Sequence, residues 1–406
     1  MKIGYYIHHS TLQAGGIFTY SVGILKLLIK TNEIEKIVLI LSAEQKEYFN
    51  FLTDNKKIQI EIVDRSKILT KVRLALAYFL IDSYILYKGY FTNPEKFKLL
   101  KKLSYTINPY KKILMSQQIE LLHIPMQFSP IYGGEIPIVI TMHDLQEFHY
   151  PEYFTASERS HRAINSKKAI EESNGIIVSF RHIKEDIIKH FHVDEKKISI
   201  CPPPFTNDWF VSELFTSAED LKEKFDLNDK FLLYPAATWE HKNHLNLIRA
   251  VSLLREKNME LLLVCTGNKT NFYNSIEQEL IKLGLQNQIK FLGIISEEDL
   301  IGLYKSTCLV VIPTKYEAGS GPLYEAMRYA VPVICSDVTS LPNTIGDDEF
   351  TFNPEDVNEI ASKINRMLTD DKFRIRNIEN SAKRLQELSQ NNYIDNFISV
   401  YHSLIR

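Results

Sequence analysis

No run in the sequence approaches the roughly 20 apolar residues that a membrane-spanning helix needs. An integral membrane protein is therefore not expected. Neither charge sign is in excess: 48 Lys and Arg stand against 50 Asp and Glu, a formal net charge of −2. That balance excludes the basic footprint of a general nucleic-acid binder. Cysteine is scarce. Cys201, Cys265, Cys308 and Cys335 are isolated, with no C-x-x-C pair. Buried free thiols in a reducing cytoplasm are the expected state. No Asp-x-Asp element is placed to hold a metal, and neither a metal nor a resident cofactor is expected. Met1 to Ile7 reads as a buried strand and lacks the pattern of a signal peptide. Internal repeats and low-complexity stretches are also missing.

What is present is strand–helix alternation. At 406 residues, 45% apolar and 24% charged, the chain suits two Rossmann-sized domains better than one core. Short β-branched runs predict strands at 2–7, 37–42, 57–63, 119–124, 136–142, 175–179 and 197–201. A second set falls at 230–236, 260–266, 288–292, 308–313 and 332–335. Segments of helical period, such as 18–31, 160–173, 243–255, 272–284 and 355–368, lie between them. This order predicts an α/β protein with two doubly wound parallel sheets. Pro202-Pro203-Pro204 can join neither a helix nor a central strand, which places a hinge at roughly 202–228. The expected domains are 1–205, with a terminal helix from 388–406, and 229–387. From Arg65 to Met115, eleven Lys and Arg accompany two acids amid apolar and aromatic residues. That stretch is either a solvated helix surface or a basic amphipathic face for anionic lipid.

The segment richest in chemistry is Glu317-Ala318-Gly319-Ser320-Gly321-Pro322-Leu323-Tyr324-Glu325. It leaves a buried strand and enters a helix with Pro322 in the first turn, a favoured place for proline. A small-residue loop at a helix start offers backbone N–H groups and the positive end of the helix dipole to an anion. Two carboxylates bracket it, and carboxylates accept hydrogen bonds from vicinal hydroxyls such as those of a sugar or a ribose. A glycine-rich cap with two surface acids is the plainer account. The placement of both glutamates at one strand–loop–helix junction argues against it.

The segment resembles the E-x7-E element of retaining glycosyltransferases, especially family 4. Other elements match in order: Gly15-Gly16 after the first strand, Thr141-Met142-His143-Asp144-Leu145, Gly175 to Ser179, Lys242-Asn243-His244, Gly267, and a tail from Tyr393 to Tyr401. The resemblance implies a GT-B fold, two Rossmann-like domains facing a cleft, with the terminal helix returning to the N-terminal domain. It implies that Glu317 binds donor-sugar hydroxyls and Glu325 the ribose diol. Backbone amides of Gly319, Ser320, Gly321, Pro322 and Leu323 form the surface for sugar and diphosphate. Lys242 neutralises the leaving diphosphate, Gly15 and Gly16 admit the phosphates from the other domain, and His143 lies near the reacting carbon. The family's second cation, an arginine just before the lysine, is missing from Pro235 to Lys242. Thr238, His241 or a residue elsewhere takes its place. A His143-Asp144 pair that merely caps the next turn is the structural alternative.

The function so implied is transfer of a hexose, with retention and without a metal, from a nucleotide-diphosphate sugar to a glycan or lipid-linked acceptor in polysaccharide assembly. The expected location is cytoplasmic, peripheral to an anionic inner-membrane surface through 65–115. The alternative is a catalytically silent GT-B scaffold that binds a nucleotide sugar or glycan. A phosphorylase or epimerase fits less well, because phosphorylases need a pyridoxal lysine and are longer.

Overall fold

The computed structural model describes residues 1–8, 16–90, 97–203, 214–389 and 393–405. Gly15, and Glu95 and Lys96 of the basic stretch, lie outside them, as does part of the expected hinge. The chain divides into two compact units, residues 1–204 with 392–406, and residues 205–391.

The first unit is built on seven strands: β1 Lys2–Tyr6, β2 Lys36–Ser42, β3 Ile58–Val63, β4 Leu121–Ile124, β5 Ile138–Met142, β6 Gly175–Val178 and β7 Ile198–Ile200. They form one parallel sheet in the order β3-β2-β1-β4-β5-β6-β7. Ile3 of β1 lies between Ile37 and Leu121. Every residue of β4 and β5 is buried, as expected of parallel strands with both faces covered. The second unit holds β8 Phe231–Pro235, β9 Leu262–Thr266, β10 Ile289–Phe291, β11 Leu309–Ile312, β12 Val333–Ser336 and β13 Thr351–Phe352, in the order β10-β9-β8-β11-β12-β13. Both sheets are doubly wound. Their strand order reverses between β1 and β4 and between β8 and β11, and crevices for ligands form at such points, outside the carboxyl ends of the strands.

The twelve expected strands are all present, their ends shifted by a residue or two. The thirteenth, β13, is only two residues long, too short to show a period. The last helix, Tyr393–Leu404, belongs to the first unit. Its Tyr401 hydroxyl meets His123 Nδ1 at 2.7 Å, while His123 Nε2 lies 3.2 Å from Thr141 Oγ1. Leu404 packs on Gly175, where an added Cβ would stand 2.9 Å from Leu404 Cδ1. Burial, with a smaller contribution from His143, lowers the His123 pKa to about 3, so the ring is neutral and its two nitrogens join helix to sheet.

The basic stretch folds into the helices Ile68–Tyr90, Lys98–Ile107 and Tyr110–Ser116. Several of its cations are engaged within the fold. Lys88 pairs with Glu171 at 3.0 Å and Lys101 with Glu172 at 2.5 Å, and Arg73 Nε donates to the Ile107 carbonyl at 2.8 Å. The apolar residues divide. Leu74, Ala77, Ile81 and Tyr84 are buried, while Ile68, Leu69, Val72, Leu76, Phe79 and Leu86 are exposed, Ile68 and Leu69 to 81% and 70%. Leu99 and Leu103 of the next helix are exposed too. The exposed face thus mixes these apolar side chains with Lys71, Arg73 and Lys88.

Candidate functional site

The E-x7-E loop lies just beyond β11 and opens the helix Gly321–Arg328. Ser320 caps that helix, accepting the Leu323 N–H at 3.4 Å, and Pro322 brings no N–H. Of the expected run Gly319 to Leu323, the Leu323 N–H is thus engaged by the cap and Pro322 has none to offer. The backbone of Glu317 is clamped by the loop after β12. Its N–H donates to Thr339 Oγ1 at 3.2 Å, and its carbonyl accepts the Thr339 and Ser340 hydroxyls at 2.6 and 3.2 Å.

The loop after β8 delivers Lys242. A single 3-10 turn, Glu240–Lys242, ends at Asn243 in the left-handed conformation, φ 60°. The Asn243 amide is buried and donates to the carbonyls of Pro313 and Pro354 at 2.9 and 2.8 Å. Tyr234 of β8 donates its hydroxyl to the Lys242 carbonyl at 2.7 Å. The lysine backbone is thus fixed from three sides. Its ammonium meets Glu317 Oε2 at 2.6 Å, both side chains largely buried. The two residues lie 75 positions apart in sequence and meet because β8 and β11 are neighbours where the strand order reverses.

Glu325, one turn into the helix, accepts the Tyr304 hydroxyl at 2.5 Å on Oε2. Burial raises its carboxyl above the ordinary value, and the Tyr304 bond opposes that rise. Tyr304 comes from the helix Glu297–Ser306; as a lone tyrosine on an amphipathic helix it carries no signal in the sequence.

Thr238 is tied to the loop after β9. Its buried hydroxyl accepts the Thr270 N–H at 2.8 Å, and Thr270 Oγ1 donates to the Thr238 carbonyl at 2.7 Å. This loop pairing brings Gly267 so close that an added Cβ would stand 2.7 Å from the Ala236 carbonyl carbon, and φ there is +107°. Only glycine suits both conditions. His244 is wholly buried beside Tyr234, ring centroids 4.7 Å apart. His241 is half-buried. Burial, with Lys242 nearby, brings both histidines to a pKa of about 3.

In the first unit, His143 follows β5. Its Nε2 lies 2.9 Å from the Pro125 carbonyl, an acceptor only, so Nε2 carries the proton. Tyr20 packs edge-on against the ring at 4.8 Å. Asp144 does not cap the next turn: its carboxylate pairs with Arg162 at 2.5 Å, and Arg162 also holds Glu147 at 2.9 Å. Gly16 begins the helix Gly16–Lys30 with open space where a Cβ would stand.

The family model described as glycosyl transferases group 1 matches residues 216–384, and that of glycosyltransferase family 4 matches 77–208. The chain belongs to this glycosyltransferase family. The glycosyltransferase is 27% identical over 269 residues to the O-antigen chain mannosyltransferase B of Escherichia coli, covering 66% of this chain and 70% of that one. It is 26% identical over 225 residues to O-antigen chain mannosyltransferase RfbU of Salmonella typhimurium, covering 55% of this chain and 59% of that one. Among solved structures, Anabaena Alr3699/HepE in complex with UDP and glucose superposes with a TM-score of 0.68 at 16% identity, covering 100% of this chain and 99% of that one. WaaG, a glycosyltransferase involved in lipopolysaccharide biosynthesis, superposes with 0.66 at 14% identity over 99% of each chain. The glycosyltransferase thus has the GT-B fold.

Proposed function

We propose that this glycosyltransferase moves a hexose, mannose first among candidates, from a nucleotide-diphosphate sugar to a glycan or lipid-linked acceptor in polysaccharide assembly. The reaction proceeds with retention and without a metal. The observation that carries this reading is the Lys242–Glu317 pair beside the amides of Gly319 to Gly321. Cleavage of a sugar–phosphate bond places positive charge on the sugar and negative charge on the diphosphate. Lys242 and the helix-start amides are fixed donors for the anion and need no reorganisation as charge develops. Glu317 accepts sugar hydroxyls, Glu325 the ribose diol, and His143 contacts the transferring sugar. Mannose is favoured because the O-antigen relatives are mannosyltransferases.

The acceptor side of the reading draws on the apolar stripe of Ile68–Tyr90. A contiguous exposed apolar surface marks an interaction site. With Lys71 exposed on the same helix, it suits the headgroup level of an anionic bilayer. No helix among the described residues is long and apolar enough to cross a membrane, so the association is peripheral.

The test is a panel of UDP-, GDP- and dTDP-sugars. A donor that binds only the native state raises the melting temperature, by about 2.7 kcal/mol of stabilisation at one hundred times Kd. Turnover of that donor, with product stereochemistry read by NMR, follows. Stabilisation without any turnover on glycan or lipid-linked acceptors would replace the enzyme reading with that of a silent scaffold.

A further inference from the structure

One face of the first sheet carries polar side chains where parallel strands are ordinarily apolar. His123 of β4 is in register with Val139 of β5, so Thr141, two residues on, shares its face. Thr141 is in register with Ile177 of β6, which brings Ser179, two residues further, to that face as well. His123, Thr141 and Ser179 are all buried, and so are Tyr20 and Tyr401, which reach them from helices. Polar groups are kept in such a place only when hydrogen-bonded, and these are joined into one chain.

The chain has one sense. The Tyr401 hydroxyl and His123 Nδ1 are 2.7 Å apart, though 278 positions separate the two residues in sequence, and His123 Nε2 lies 3.2 Å from Thr141 Oγ1. A neutral imidazole donates from one nitrogen and accepts on the other. Were Nδ1 the donor, the Tyr401 proton would need a different acceptor, and among the described residues that buried hydroxyl meets none besides His123. An orphaned buried donor is costly. Tyr401 therefore donates to Nδ1, Nε2–H donates to Thr141, and the Thr141 hydroxyl donates onward. Thr141 and Ser179 are hydrogen-bonding neighbours of the Tyr20 oxygen, and both oppose the rise that burial gives its pKa, as donors to that oxygen do.

Tyr20 is where the chain meets the candidate site. Its ring stands edge-on to His143, centroids 4.8 Å apart, while the Pro125 carbonyl holds the imidazole at Nε2. His143 also contributes to the lowered pKa of His123, so the two histidines are near neighbours. Hydrogen bonds in series strengthen one another, and a fully satisfied buried network is rigid. A network with a single sense leaves the Tyr20 ring a single orientation, and His143 packs against that ring.

We propose that Tyr401, on the last helix of the chain, is a positioning residue for His143 and acts on it through His123, Thr141 and Tyr20. This rests on the transferase reading above, in which His143 contacts the transferring sugar. The terminal helix then has two tasks that different side chains perform. Leu404 packs it against Gly175, and the Tyr401 hydroxyl sets the sense of the network beneath His143.

The full chain, with isotope-labelled histidine, is read by NMR, and kcat and donor KM are measured with the sugar nucleotide that the panel selects. In wild type the His123 proton is on Nε2. In Tyr401→Phe and in Tyr20→Phe kcat falls about tenfold, as for a reacting group held slightly out of place. Donor KM stays at the wild-type value in both, and the His143 ring signals shift. The double variant is no slower than either single one, because both substitutions break the same chain. Leu404→Ala loosens the terminal helix without touching the network: its melting temperature falls at least as far as that of Tyr401→Phe, while kcat and the His143 signals stay as in wild type. Wild-type kcat or unmoved His143 signals in Tyr401→Phe overturn the proposal, as do a His123 proton on Nδ1 and losses that add in the double variant. A Leu404→Ala variant as slow as Tyr401→Phe assigns the effect to helix docking and overturns it too. Shifted His143 signals in Tyr401→Phe, in a protein that turns over no donor, would sink the transferase reading alone.

Discussion

In the proposed site Glu325 would accept two ribose hydroxyls, which it can do only as a carboxylate. Burial raises its pKa above the ordinary 4.5, with the Tyr304 bond pulling the other way. Nucleotide affinity is expected to rise with pH above 4.5, with a midpoint that Tyr304→Phe moves higher, measured by calorimetric titration. The stability contribution has the opposite sign: a raised folded-state pKa adds stability below pH 4.5 that is lost as pH climbs through it. Glu325→Ala is expected to weaken nucleotide roughly 10- to 100-fold, as for hydrogen bonds to a charged group, and to leave little pH dependence. Glu317→Ala is expected to cut turnover at least as much while free nucleotide still binds, because Glu317 faces the sugar in the proposed site. Wild-type turnover in Glu317→Ala would remove it from the site. At this scale the sequence was informative about which residues to examine and silent about their partners. The E-x7-E spacing is local and legible. The Lys242–Glu317 contact depends on which strands become neighbours, and Tyr304 arrives from a helix that no motif marks.

Among elements, the turn at Asn243 is the most exacting. Asn243→Ala takes the buried side-chain donor from the Pro313 carbonyl, leaves the Pro354 carbonyl with the Asn246 amide alone, and puts a Cβ-bearing residue without Asn's amide at φ 60°. The expected cost is about 2–4 kcal/mol by thermal denaturation. Asn243→Gly loses the same bonds without the backbone strain, and is expected to retain about 1 kcal/mol more. A smaller loss for alanine than for glycine would contradict this account of the turn. The helix Ile68–Tyr90 carries a second prediction. Co-sedimentation with anionic liposomes is expected at low salt, weaker as salt screens charges beyond about 10 Å at 0.1 M, and weaker in Leu76→Ser/Phe79→Ser. Equal recovery in the supernatant with and without liposomes would leave the stripe unexplained by lipid. The strands were readable because parallel strands buried on both faces are unbroken apolar runs; β13, two residues beside a 3-10 turn, has no such run. The helix was readable as basic and amphipathic, but which apolar residues faced outward depended on the neighbours it met, and its Lys88, like Lys101 of the next helix, found an acid on the distant helix Ala156–Glu172.

For the whole molecule, chelation with EDTA is expected to leave transfer intact, since in the proposed site Lys242 and the helix-start amides would supply the positive field. Activity lost to EDTA and restored by Mn²⁺ or Mg²⁺ would refute that. The chain also crosses between its units twice, once after residue 204 and again before 392, because the terminal helix packs on the first unit through Tyr401, Leu404 and their partners. A protease site engineered between residues 203 and 214 would therefore sever the backbone without severing the particle. The two pieces would separate under denaturing electrophoresis yet elute together from a gel-filtration column, held by a helix that one fragment lends to the other. Dividing the gene at the same point and co-expressing the halves becomes a means of supplying each unit with its own variants.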